Sequence, residues 1–281
     1  MKIAVTGASG FIGRHVVAEL ERRSLAPVVV VRPSSKMQSD TPAHRVVRLD
    51  IAAGTPGAYA AMGRPDAVIH LAWGGLPNYQ SLHHFETELP AQYEFLRGLI
   101  VDGLPALLVA GTCFEYGMQS GPLDESLEPR PANPYGFAKD TLRRQLDLLR
   151  QTKPFDLTWA RLFYLHGAGQ AENSLYAQLE RAMQRKESEF NMSGGEQLRD
   201  YLPVADVAAH LVSLATAAAN SGVVNVCSGQ PVSVRTLVER WIAESNSPIR
   251  MNLGHFAYAN HEPMAFWGNA DKLQRCLAAI P

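Results

Sequence analysis

Short apolar runs alternate with longer amphipathic stretches through the first half of this chain. Residues 2–6 (KIAVT), 28–32, 45–50, 66–72 (DAVIHLA), 104–110 (LPALLVA) and 156–163 are compact runs rich in Val, Ile, Leu and Ala, and they predict strands. Between them, residues 11–23, 82–101 and 135–150 carry apolar side chains at helical spacing. Strands that are apolar throughout, separated by helices, predict a parallel sheet covered on both faces, which is the doubly wound α/β class. Beyond Tyr164 the regularity falls. Helices are expected over 174–186, 204–219 and 234–244, with a short strand over 223–227. The tail around Pro263, Trp267 and Gly268 reads as loops around a pocket. The expected organisation is a first domain over 1–165 with a return segment near 201–227, and a smaller C-terminal lobe in 166–281.

The turn from the first strand into the first helix reads Thr6-Gly7-Ala8-Ser9-Gly10-Phe11-Ile12-Gly13. At a strand-to-helix junction this is a dinucleotide-binding loop of Rossmann type. Gly7 permits the sharp turn, Gly10 lets a pyrophosphate approach the backbone, and Gly13 lets the helix pack closely on the sheet. Free N–H groups at the helix start then meet the phosphates. Gly7, Ser9, Gly10, Phe11, Ile12 and Gly13 are therefore expected cofactor contacts. An acidic residue after the second strand would hold both ribose hydroxyls of NAD. Here that place reads Arg32-Pro33-Ser34-Ser35. A guanidinium with the hydroxyls of Ser34 and Ser35 suits a 2′-phosphate, so NADP is favoured and NAD is the alternative. Asp50 and Ile51, closing the third strand, either meet the adenine edge or form an exposed turn.

Tyr135-Gly-Phe-Ala-Lys139 opens a predicted helix, and i, i+4 spacing puts the phenol and the ammonium on one face. Gly111-Thr112-Cys113-Phe114-Glu115-Tyr116-Gly117 follows the fifth strand. Residues just past carboxyl strand ends line the ligand crevice of an open α/β sheet. A free phenol titrates near ~10. A Lys cation about 4 Å away, at an effective dielectric of ~20, contributes around 4 kcal/mol. That would lower the phenol pKa by about 3 units before screening. Tyr135 is thus expected to act as acid/base, Lys139 to support it and hold the nicotinamide ribose, and Thr112 to orient the reacting oxygen.

Composition narrows the alternatives. The 281 residues carry a formal net charge of −1, with 46% hydrophobic and 19% charged residues. There is no broad basic footprint for nucleic acid and no apolar run of membrane-spanning length. The opening MKIAVTGASG lacks the apolar core of a secretion leader, and cytoplasm is the expected location. Cys113, Cys227 and Cys276 form no C-x-x-C pair, so neither a zinc site nor a disulfide framework is expected. His83 and His84 are adjacent, which on a helix points them about 100° apart, a poor metal chelate.

Together these residues resemble the extended short-chain dehydrogenases/reductases that act on nucleotide-activated sugars. The likeness runs through TGASGFIG, His70-Leu71-Ala72, GTCFEYG, NPYGFAK, Arg161, residues 199–207 (RDYLPVADV) and residues 222–229 (GVVNVCSG). It implies Tyr135 as proton donor with Lys139 and Thr112, Leu71 and Ala72 beside the cofactor, and a homodimer that pairs helices 82–101 and 135–150 into a four-helix bundle. Dehydratases of this family carry Asp-Glu after the catalytic Thr. Cys113 and Phe114 stand there instead, so elimination is not expected. Epimerases retain NAD, whereas Arg32 points to exchanging NADP and net reduction of a 4-keto-6-deoxy sugar on a nucleoside diphosphate. A 4-epimerase is the competing reading, and a non-enzymatic dinucleotide sensor is disfavoured by the intact Tyr–Lys pair.

The expected substrate contacts are Trp73, Thr112, Cys113, Phe114, Tyr135, Asn173 and Arg199. Trp73 either stacks on the sugar or fills space, and Glu115 is expected near the pocket with it. Asn173 either contacts the diphosphate or caps a helix. Arg199 either meets a phosphate or anchors its loop to Asp200 or Asp206. Glu262, Pro263, Phe266 and Trp267 either close over the sugar or form a packed lid.

Overall fold

The computed structural model describes residues 1–35, 45–217, 220–258 and 262–279. Its strands are β1 (Ile3–Thr6), β2 (Val28–Val31), β3 (Arg45–Arg48), β4 (Ala67–His70), β5 (Ala106–Thr112), β6 (Gly121–Leu123), β7 (Asp156–Leu162) and β8 (Tyr164–His166). They continue with β9 (Glu189–Asn191), β10 (Leu198–Arg199), β11 (Tyr201–Pro203), β12 (Gly222–Val226), β13 (Val232–Ser233), β14 (Arg250–Asn252) and β15 (Phe266–Gly268). The helices are α1 (Phe11–Arg22), α2 (Ala58–Ala61), α3 (Leu89–Val101), α4 (Pro134–Thr152), α5 (Leu175–Gln184), α6 (Val204–Thr216), α7 (Val234–Glu244) and α8 (Asp271–Ala278). No helix among the described residues is long and apolar enough to cross a membrane.

Seven strands form one parallel sheet in the order β12-β7-β5-β4-β1-β2-β3. This is the Rossmann-type doubly wound arrangement, with its topological switch between β1 and β4. The sequence explains the layering. β1, β2 and β4 are buried at every position, so both faces of the sheet are covered. One face packs α1 and α6 through Val16, Leu20, Leu211 and Val212, and the other packs α3 and α4 through Leu96, Leu99, Leu142 and Leu146. β3 is the edge, and its terminal arginines are exposed, which blunts strand addition there.

The four remaining ladders are two-stranded: β8 with β11, β9 with β14, β6 with β15, and β10 with β13. Helices α5 and α7 close a separate apolar core around Leu179, Val238 and Trp241. The chain returns from this region through β11, α6 and β12, which rejoin β8, α1 and β7 respectively.

Several boundaries differ from the sequence reading. β5 runs two residues later than expected, so Thr112 is its last residue. The expected helix over 82–101 is a π-helical turn (His84–Glu88) followed by α3, because Pro90 in the first turn lacks the N–H an uninterrupted helix would use. Of the helix expected over 204–219, Ala218 and Ala219 lie outside the described residues. The tail is not all loop: it holds β15 and α8. Two- and three-residue strands carry no periodic signal, since pairing with a distant partner defines them.

Candidate active site

A cavity of about 640 Å³ opens at the carboxyl ends of β1, β2 and β4, over the switch point. Gly7, Ser9 and Gly10 form its floor, Arg32, Asp50 and Ile51 one end, and Leu71, Ala72 and Trp73 a wall. Gly7 adopts φ +68°, and a Cβ on it would stand 2.8 Å from the Ala72 nitrogen. A Cβ on Gly13 would stand 2.2 Å from the Gly7 carbonyl, so only glycine lets α1 seat this close to the loop. Gly10 caps α1 without a side-chain hydrogen bond, leaving first-turn N–H donors for an anion. The cradle fits a dinucleotide pyrophosphate.

Of the expected cofactor residues, Phe11, Ile12, Gly13, Ser34, Ser35, Tyr135 and Lys139 do not line this cavity, the last two lying behind its Trp73 wall. Phe11 and Ile12 are the first two residues of α1. The Phe11 ring meets His15 edge-on at 6.0 Å, and Ile12 packs toward the sheet. Ser34 is exposed, and the Ser35 carbonyl accepts from Arg48 at 2.7 Å. Asp50 is an exposed turn residue at the cavity edge, its carboxylate capping the turn Ile51–Ala53 by accepting from the Ala52 N–H at 3.1 Å.

A polar chain runs along the cavity, whose lining includes Thr6, Gln92 and Glu88. The Thr6 hydroxyl meets His70 Nδ1 at 2.9 Å, His70 Nε2 meets the Gln92 carbonyl at 2.9 Å, and the Gln92 amide donates to Glu88 at 2.9 Å. Burial, with the Lys139 charge nearby, lowers His70 to about 3, so the ring is neutral at physiological pH.

Asn133 starts α4 by accepting from the Gly136 N–H at 2.8 Å, and this cap aims Tyr135 and Lys139 into the sheet. Both are buried. The Lys139 ammonium donates to the Ala110 carbonyl at 2.9 Å and lies 3.9 Å above the Trp73 ring. Tyr135 is enclosed by aromatic rings: His84 at 5.2 Å, Tyr79 at 5.5 Å and Trp73 at 6.0 Å. Burial pushes its phenol well above the usual range, with Tyr79, Glu115 and Cys113 adding to the rise and the Thr112 hydroxyl opposing it. Lys139 is itself pushed down to about 7 by burial, against the carboxylates of Glu115 and Glu88. The expected lowering of the phenol by Lys139 is therefore not what this geometry produces. The ammonium sits 5.9 Å from the phenol ring and is directed to the indole and the Ala110 carbonyl, while desolvation of the phenolate dominates.

Thr112 ends β5 and caps the turn Cys113–Tyr116, accepting from the Phe114 N–H at 3.3 Å. Glu115 is not a pocket residue. It is fully buried, accepts from the Thr112 N–H at 2.9 Å and from Trp159 at 2.9 Å, and pairs with Arg161 at 2.7 Å. Glu115 thereby fixes the turn that presents Thr112.

The other expected substrate residues scatter. Cys113 is buried with Tyr116, Phe163 and Phe266, and burial raises its thiol well above the usual range. The Phe114 ring faces Tyr79 at 4.9 Å. Asn173 is exposed on a second cavity of about 550 Å³ that also holds Arg181, Arg185 and Phe190, and the cap of α5 is Ser174, one residue later than expected. Arg199 is anchored neither to Asp200 nor to Asp206. Its guanidinium donates to Glu262 at 3.0 Å and to the Leu198 and Met264 carbonyls, and stacks 4.5 Å over Phe266. Asp200 instead accepts from the Ser228 and Gly229 N–H groups.

Tyr79 and His84, both against Tyr135, were not expected at the site. Tyr79 lies in the segment between β4 and the π-helical turn, and His84 is the first residue of that turn.

The sheet order, the glycine cradle at the switch point and the Tyr–Lys pair agree with a family model described as NAD dependent epimerase/dehydratase family, which matches residues 3–227. The chain belongs to that family. Its relatives include the dTDP-6-deoxy-L-talose 4-dehydrogenase (NAD(+)) of Aggregatibacter actinomycetemcomitans, 31% identical over 95% of this chain and 99% of the relative. The dTDP-6-deoxy-L-talose 4-dehydrogenase (NAD(P)(+)) of Kitasatospora kifunensis is 28% identical over 88% of this chain and 80% of the relative. Among solved structures, MoeE5 in complex with UDP-glucuronic acid and NAD superposes with a TM-score of 0.83 at 27% identity, covering 99% of this chain and 93% of that one. The likeness to extended short-chain dehydrogenases/reductases thus holds across nearly the whole epimerase/dehydratase scaffold.

Proposed function

We propose that this epimerase/dehydratase-family chain is an NADP-dependent reductase of a nucleotide-activated 4-keto-6-deoxy sugar, acting at C4. The observation that carries the reading is that the Tyr135 phenol and the Lys139 ammonium pack against Trp73, the residue that walls the dinucleotide cradle. A protonated Tyr135 is the form that donates to an oxygen gaining negative charge, as reduction of a ketone requires. The bound dinucleotide supplies the hydride. Tyr135 gives the proton to the C4 oxygen, Thr112 orients that oxygen, and Lys139 holds the nicotinamide ribose. The relatives named for oxidation at C4 of 6-deoxy sugars support this choice, since a 4-dehydrogenase run backwards is a 4-ketoreductase.

The lobe within 166–281 supplies the nucleotide side. Arg181 and Arg185, on the second cavity beside Asn173, suit the diphosphate: their pairs with Glu172 and Glu187 are open to solvent, whereas the Arg199–Glu262 pair is largely buried. The deciding experiment is oxidation of NADPH and NADH against a panel of nucleotide 4-keto-6-deoxyhexoses, with product stereochemistry read by NMR. A 4-epimerase is the second reading, favoured by the family description. Tightly retained NAD in the purified protein, with no turnover of any keto-sugar, would favour it.

Arg32 carries the cofactor preference. It is exposed at the ribose end of the cavity, where a 2′-phosphate would sit. Replacing Arg32 with Ala should raise the KM for NADPH about 10- to 100-fold, the loss of one or two charged hydrogen bonds. The KM for NADH should stay within about twofold. Equal effects on both cofactors would remove Arg32 from 2′-phosphate recognition.

A homodimer through α3 and α4 is proposed with it. Phe137 is 50% and Leu148 63% exposed, three turns apart on one face of α4. Phe137→Glu with Leu148→Glu should halve the mass read by light scattering while leaving the far-ultraviolet spectrum unchanged.

A further inference from the structure

Trp73 lines the dinucleotide cavity and also covers Lys139, which the proposed reaction uses. The ammonium lies 3.9 Å from the ring centroid, within direct cation–π contact. The indole is held in turn. Its N–H donates to His84 Nδ1 at 3.1 Å, and His84 Nε2 donates to the Asn78 carbonyl at 2.8 Å. These two bonds settle the tautomer: Nδ1 accepts, Nε2 carries the proton, and the ring is neutral. The indole and imidazole planes stack at 30°, and both rings face Tyr135. A side chain that only filled space would need neither the hydrogen bond nor the placement over a charge.

We propose that Trp73 is a positioning residue for Lys139, its ring face holding the charged ammonium in place beside the dinucleotide cavity, and that His84 holds Trp73 in that pose. The inference rests on the dinucleotide reading above.

The electrostatics give the inference its sign. Lys139 is buried and faces the carboxylates of Glu115 and Glu88, the Tyr135 phenol, and the neutral rings of His70 and His84. Burial brings it to about 7, so its charge is fully present below that pH and lost as pH rises through it. The indole face favours the charged form, so taking the ring away should lower the midpoint further. The size expected from a desolvated cation–π contact is about one pH unit.

The test measures NADPH binding by fluorescence from pH 6 to 9 in the wild-type protein and in Trp73→Leu, Trp73→Phe, His84→Leu and Lys139→Met. Wild-type affinity should fall as pH rises through the Lys139 titration. The midpoint should move about one unit lower in Trp73→Leu, and less in Trp73→Phe, which keeps a weaker ring. His84→Leu should move it in the same direction, and Lys139→Met should abolish the step. If Trp73→Leu does not fold, Trp73→Phe and His84→Leu carry the same comparison. Weaker binding by a constant factor at every pH, with the midpoint unmoved, would make Trp73 a packing residue and overturn the inference alone. A wild-type protein that binds neither NADPH nor NADH would overturn the dinucleotide reading and this inference with it.

Discussion

Tyr135→Phe is expected to lower kcat for keto-sugar reduction by about 10²- to 10⁴-fold, the usual contribution of a positioned general acid. NADPH affinity should be nearly unchanged. The substitution keeps the ring, and the ring makes the contacts with His84, Tyr79 and Trp73 that pack this part of the site. It removes only the hydroxyl, whose burial holds it protonated and whose neighbour is Thr112. Thermal stability should therefore stay close to wild type. Steady-state kinetics and calorimetry on one preparation separate the two effects. Undiminished turnover with any keto-sugar would show that the proton comes from elsewhere.

The second large effect is on stability. Glu115→Ala should destabilise the fold by about 3–5 kcal/mol, because it removes one partner of a buried ion pair and leaves the other charged and dry. Arg161 and Glu115 are both essentially inaccessible, at 1% and 0% exposure of their side chains. Among the described residues, the Arg161 Nη1 atom already lacks a hydrogen-bond partner, and without Glu115 the guanidinium keeps only the neutral Tyr116 hydroxyl beside it. The same deletion strips acceptors from the Trp159 indole and the Thr112 N–H. Glu115→Gln, which keeps an acceptor while losing the charge, should cost less. Urea unfolding measures both variants. A loss under about 1 kcal/mol for Glu115→Ala would mean that water reaches Arg161 and that the pair is not the anchor of this turn. Residual activity should fall further than folded fraction, since the turn presents Thr112 to Tyr135.

Much of the architecture was legible because it depends on local pattern. Continuous apolar strands such as Val28–Val31 can be buried on both faces only in a covered parallel sheet, and a glycine loop between strand and helix has few uses. Tyr135 and Lys139 were legible for a related reason: i, i+4 spacing on a helix is a local fact, and the Asn133 cap that begins the helix is too. What misled was chemistry set by distant neighbours. Glu115 read as a pocket carboxylate because nothing nearby in sequence reveals Arg161 and Trp159 closing over it. The alternative that anchored Arg199 to Asp200 or Asp206 failed because Glu262 reaches it from 63 residues away. The tail read as loop because β15 exists only through its pairing with β6.

The sequence by itself determined the fold class, the glycine loop and the placing of Tyr135 and Lys139 together at the start of one helix. Each follows from spacing along a single strand, loop or helix, where chain geometry leaves little freedom. Tertiary structure alone decided the electrostatic state of that pair. Burial, not the neighbouring charge, sets the Tyr135 phenol high, and the Lys139 ammonium lies over Trp73 with His84 behind it. A pKa depends on how much water and how many charges surround a group, and those come from segments that folding brings together.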